Sequence, residues 1–108
     1  MTEKSITRGS GNVFADLGLE EAGELQAKTQ LAVTLNRLLD RRKLTQADTA
    51  KMLGLTQPKV SLLRRYKLDG FSVEKLMTLL NSLDRDVEII VKPKPRSRAN
   101  ARILVRAA

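Results

Sequence analysis

Between residues 20 and 83 apolar side chains recur at intervals of three and four, the spacing of amphipathic helices. From Glu20 to Arg42 the stripe is Leu25, Ala32, Leu35, Leu38 and Leu39, with Leu31 and Val33 alongside. Glu20, Glu21 and Glu24 near its start and Arg41, Arg42 and Lys43 near its end complement a helix macrodipole. Gly23 weakens the first turn and offers a later start. Thr45, with Asp48 three residues on, predicts the N-cap of a short helix that ends at Leu53. Gly54 then supplies the left-handed stop. Thr56 caps a further helix to about Arg65, with Pro58 in the first turn, where its missing N–H costs nothing. After an Asp69-Gly70 turn, Ser72 caps a helix to about Leu83, with the stripe Val73, Leu76, Met77, Leu79, Leu80 and Leu83.

Residues 86–92 (DVEIIVK) break this rhythm. Val87, Ile89, Ile90 and Val91 are β-branched and predict one short strand. A lone strand cannot satisfy its own backbone, so it needs a partner: the same strand of a second copy, another protein, or a strand nearer the N-terminus. Pro93 and Pro95 stop it. Residues 1–12 read as a flexible polar arm, and Val13, Phe14, Leu17 and Leu19 as a patch that docks on the main domain or on a partner. Residues 93–108 form a basic tail of a composition compatible with disorder, with Ile103, Leu104 and Val105 as a short sticky element inside it. The expectation is one domain over residues 13–92. It is an all-α bundle of about five helices with one C-terminal strand able to pair across a dimer.

Composition narrows the function. At 108 residues one compact domain is expected, with no room for a separate catalytic one. The chain has no cysteine and no histidine, which removes disulfides, Cys-ligated zinc and the commonest general base. An enzyme is therefore disfavoured, and no cofactor or metal is expected. No apolar run approaches the ~20 residues of a membrane span, and the N-terminus lacks the apolar core of a signal peptide, so a cytoplasmic location is expected.

The net charge of +8 is unevenly placed. Residues 1–40 carry four basic and six acidic side chains, residues 41–70 eight and two, and residues 71–108 eight and four. A localised phosphate-binding surface has this distribution, and so does a solvated basic face.

The stretch TQADTAKMLGLTQPKVSLLRRY, residues 45–66, separates these readings. Two short helices can cross steeply only if the first offers a small residue at the crossing (Ala50) and the turn admits a left-handed residue (Gly54). The second must then bury one side alone, through Val60 and Leu63, while Leu53 and Leu55 close the core around the turn. That leaves Gln57, Lys59, Ser61, Leu62 and Arg65 on a face able to enter a major groove.

This segment resembles the phage-repressor class of helix-turn-helix proteins, the xenobiotic-response-element family of regulators. Ala50, Gly54, Leu53, Leu55, Val60, Leu63, Gln46 and Gln57 carry the resemblance, and Thr49 departs from it, because the family usually has an apolar residue there. The resemblance implies that Gln46 contacts a phosphate and supports Gln57, which reads adenine; a Gln side chain can bond bidentately to adenine N6 and N7. Pro58, Lys59, Ser61 and Leu62 then occupy base-facing positions, with Pro58 and Leu62 limited to apolar contact. Arg41, Arg42, Lys43, Thr56, Arg64, Arg65 and Lys67 are the candidates for phosphate contact, which fixes register without reading sequence.

Over a longer span NVFADLGL, LTQADTAKMLGLTQPKVSLL, FSVEKLMTLLNSL and DRDVEIIVKP look like the HigA-like antitoxin branch of this family. The branch implies a RelE-like ribonuclease toxin as partner, repression of the protein's own operon as a homodimer, and a dimer or toxin contact for Val87, Ile89, Ile90 and Val91. The function expected is thus sequence-specific repression on a duplex DNA operator, as an autoregulating antitoxin. The alternative is a protein-interaction module that mainly neutralises a toxin. An RNA-binding role for the basic tail is disfavoured, since Phe14, Tyr66 and Phe71 are the only aromatics available for stacking.

Overall fold

The computed structural model describes residues 21–107, and their side chains from Gly23 onward. The expected N-terminal arm and the Val13–Leu19 patch lie outside the described residues. Four helices follow one another: α1 (Glu21–Arg42), α2 (Gln46–Leu53), α3 (Gln57–Arg64) and α4 (Val73–Ser82). α1 packs mainly against α4, and α2 mainly against α3. Helices of eight residues, such as α2 and α3, do not hold in isolation, so their stability comes from this packing.

Leu35 of α1, Val60 and Leu63 of α3, Leu76 and Leu79 of α4, and Leu83 just beyond it are the largest fully sealed side chains. Leu31, Ala32, Leu39, Leu53, Leu68, Phe71 and Leu80 form a continuous core with the five leucines of this set. Each buried leucine contributes about 1.5–3 kcal/mol relative to exposure. The α1 stripe is shifted from the expected one at its start. Ala27 is buried, whereas Leu25 is 58% exposed. The helix also begins before Gly23 and runs through it.

The expectation of five helices and a strand is corrected: among the described residues there are four helices and no strand. Among the described residues the apolar periodicity is taken up by these four helices, three of them capped at Thr45, Thr56 and Ser72. Residues 86–92 have the β-branched composition of a strand but no ladder. Composition is a local property, whereas a strand also requires a second segment to bond with. Ile89, Ile90 and Val91 are accordingly 76%, 75% and 89% exposed.

The tail returns to the body. The Val105 backbone N–H donates to Gln30 Oε1 of α1 at 3.1 Å, and its half-buried side chain packs against the core. Ile103 and Leu104 stay exposed.

Candidate nucleic-acid interface

The α2–turn–α3 unit is built from local hydrogen bonds that its sequence specifies. Thr45 Oγ1 accepts from the Asp48 backbone N–H at 3.1 Å, and Thr56 Oγ1 from that of Lys59 at 3.3 Å. Each thus satisfies a donor that a helix start would leave orphaned. Between them Gly54 adopts φ +69° and ψ +32°. Its N–H donates to the Lys51 carbonyl, and the Leu55 N–H to that of Ala50 at 2.9 Å, the double closure of a Schellman motif. A Cβ at Gly54 would meet nothing within 4 Å, so glycine is needed here for its backbone conformation and not for space.

With Val60 and Leu63 sealed in the core, the opposite side of α3 faces outward. Gln57, Pro58 and Lys59 are exposed at its start, and Ser61 is half-buried. Eight residues at 1.5 Å rise make a rod about 12 Å long, comparable with the width of the B-DNA major groove. Gln46 is exposed at the start of α2. Leu62 differs from the sequence reading. It is half-buried and packs on the core, so little of it remains for a groove.

The cations divide into two sets. Arg41, Arg42, Lys43, Arg65 and Lys67 are exposed, as is Thr56. Arg42 Nη1 donates to the Met52 sulfur at 3.9 Å, and Arg65 Nε bonds back to the Ser61 carbonyl at 3.4 Å. Arg64, expected beside them as a phosphate contact, is instead turned onto α1. Its Nη1 donates to the Asn36 backbone carbonyl at 3.1 Å and to Asn36 Oδ1 at 2.9 Å, and its Nη2 pairs with Asp40. Its donors are largely occupied, so the guanidinium holds α3 to α1.

Asn36 and Asp40 are the members of this clip that sequence reading missed, and Asn36 is the one that left a signal. It is buried, and its Nδ2 donates to the Leu63 carbonyl at 3.1 Å, an acceptor at the end of α3. The signal was a lone asparagine in an otherwise apolar stripe. A buried amide must find partners, and among the described residues no buried side-chain polar atom lacks one. Thr49, the departure from the family pattern, is buried in α2 beside Ala50.

A short α3 capped at Thr56, clipped at Arg64 and bare along one side defines a helix-turn-helix protein. Residues 13–92 match the model of a helix-turn-helix domain family, and the chain belongs to that family. It is also similar to a solved structure named "Putative XRE Family Transcriptional Regulator", at 62% identity and a TM-score of 0.80. That similarity covers 82% of this chain and all of the other. No curated protein matches it.

Proposed function

We propose that the protein is a sequence-specific, duplex-DNA-binding transcriptional repressor that acts as a homodimer on a palindromic operator. The observation that carries this reading is the outward side of α3, where Gln57, Pro58 and Lys59 are exposed on a rod whose other side is locked into the core. Gln57 reads a base edge, with Lys59 and Ser61 beside it, and Pro58 offers only apolar contact. Gln46, Thr56, Arg41, Arg42, Lys43, Arg65 and Lys67 hold the phosphates on either flank. The similarity to an XRE-family regulator over the whole of that chain supports the same reading. Two copies reading half-sites about 34 Å apart make the operator a palindrome.

The test is selection of a preferred duplex from a random library, followed by comparison of Gln57→Ala with the parent. The expected cost is about 1–3 kcal/mol, confined to one base position in each half-site. An equal loss on specific and random duplexes argues against base reading by Gln57.

A second reading adds a protein partner. Ile89, Ile90 and Val91 present β-branched side chains to solvent on a segment whose backbone has no ladder. Such a segment is suited to strand addition, in which a partner supplies the missing hydrogen bonds. We infer that this protein is the antitoxin of a toxin–antitoxin pair, silencing a RelE-like ribonuclease as well as its own operon. Co-expression with the product of the adjacent reading frame, read as a stable complex and loss of ribonuclease activity, tests it. No complex, or an active ribonuclease within one, sinks the antitoxin role and leaves the repressor reading standing.

A further inference from the structure

After Glu88 the chain contains no acidic residue, while Lys92, Lys94, Arg96, Arg98, Arg102 and Arg106 are all basic. The structure separates these six into two kinds. Lys94 and Arg98 shape the tail itself. Lys94 Nζ donates to the Arg98 carbonyl at 2.6 Å and to that of Pro95 at 3.2 Å, and Arg98 Nη1 donates to the Asn100 carbonyl at 3.0 Å. With the Arg98 N–H on the Pro95 carbonyl at 3.3 Å, they knit a turn over residues 95–98. Lys92, Arg96, Arg102 and Arg106 are exposed and bond to nothing among the described residues.

Lys92, Arg96 and Arg102 are not strung on a free end, and Arg106 directly follows the point of attachment. The Val105 N–H is held by Gln30 of α1, and its side chain sits against the core, so residues 86–104 form an arm tethered at both ends. Tethering prepays part of the entropy that ordering a loose tail would cost on binding.

We propose that this arm is a second phosphate-binding element, which grips the sugar–phosphate backbone of the duplex that α3 reads. The inference rests on the DNA-binding reading above. Duplex DNA places one negative charge per ~1.7 Å of axis, so a duplex lying along a molecule 46 Å in its longest extent offers phosphates well beyond the α3 region. Unpaired cations without an acidic neighbour suit a polyanion. Beyond Phe71 the chain has no aromatic residue, so the arm lacks the stacking platform that single-stranded nucleic acid requires. Backbone contacts carry no base information, and the arm therefore adds affinity and salt dependence but no specificity.

The experiment compares the full-length chain with the variant K92A/R96A/R102A/R106A and with a charge-conserving variant, K92R/R96K/R102K/R106K. Binding to the selected duplex and to a random duplex is measured across salt concentrations. Each phosphate contact contributes about 0.9 to the slope of log K against log salt. The alanine variant is expected to flatten that slope by about 2–4 units and to lose the same factor on both duplexes. The charge-conserving variant keeps the slope, and all three proteins share one unfolding midpoint. An unchanged slope in the alanine variant overturns the proposal while Gln57→Ala still reports base reading. Loss of slope in the charge-conserving variant also overturns it, because that would be a structural effect. A parent chain that binds no duplex overturns the proposal and the reading beneath it together.

Discussion

Arg64 and Arg65 are neighbours in the chain, yet only one of them is free. The Arg64 guanidinium is engaged by Asn36 and Asp40, whereas Arg65 is exposed and bonds only back to its own helix. Their alanine variants should therefore separate two measurements. Arg65→Ala weakens binding to all duplexes alike and reduces the salt slope by about 1, with the unfolding midpoint unchanged. An unaltered slope contradicts a phosphate role. Arg64→Ala leaves the Asn36 Oδ1 without its donor and costs about 1–3 kcal/mol of stability, read by denaturant titration. An unaltered midpoint there would mean that the clip contributes nothing. From sequence the two arginines were indistinguishable. What tells them apart is Asn36, 28 residues before Arg64, and a helix packing that no local pattern encodes.

At the scale of the element, what was legible is what closes over three or four residues. Thr45, Thr56 and Ser72 all cap the helices their spacing implied, the last accepting from the Lys75 N–H at 3.0 Å. Gly54 takes the left-handed turn expected of it. Helix ends without a glycine were legible in position, at Arg42 and within a residue of Arg65 and Leu83, but the left-handed residue that closes each was not. Lys43, Tyr66 and Asp84 all have positive φ, of 53°, 62° and 62°. Around Tyr66 and Asp84 the same double closure recurs: the Lys67 N–H donates to the Leu62 carbonyl, and that of Arg85 to the Leu80 carbonyl. The drive to satisfy terminal carbonyls outweighs the cost that an L-residue pays there. At Gly54 that cost can be measured alone, because an added Cβ meets no atom. Gly54→Ala should lower stability by about 1–2 kcal/mol. Duplex affinity at temperatures where the variant stays folded should be unchanged. A loss of affinity there without loss of stability would mean that the turn sets the angle of α3, and that backbone strain is not the whole effect.

For the whole molecule the question is what covers residues 87–91. The periodic part of the chain folded as its stripes indicated, because a stripe carries its own instruction to face the core. A strand carries only half of its instruction, and the β-branched run therefore ended up solvent-facing, without the expected ladder. Contiguous exposed apolar surface of this kind marks an interaction site more often than a plain surface. A homodimer on a palindrome provides the simplest cover, since the same segment from a second copy supplies identical hydrogen-bonding groups around a two-fold axis. Ile89 and Ile90 occupy successive positions, and in a strand they point to opposite faces, so a double substitution affects both. Ile89→Lys with Ile90→Lys should therefore convert the proposed homodimer to monomer in sedimentation without lowering the helical content, since neither side chain belongs to the core. On a two-half-site operator the monomer loses the advantage of linked binding and should bind at least about a hundredfold more weakly, while its affinity for one isolated half-site is unchanged. A double variant that remains dimeric would move the self-association surface elsewhere and leave residues 87–91 to a different partner.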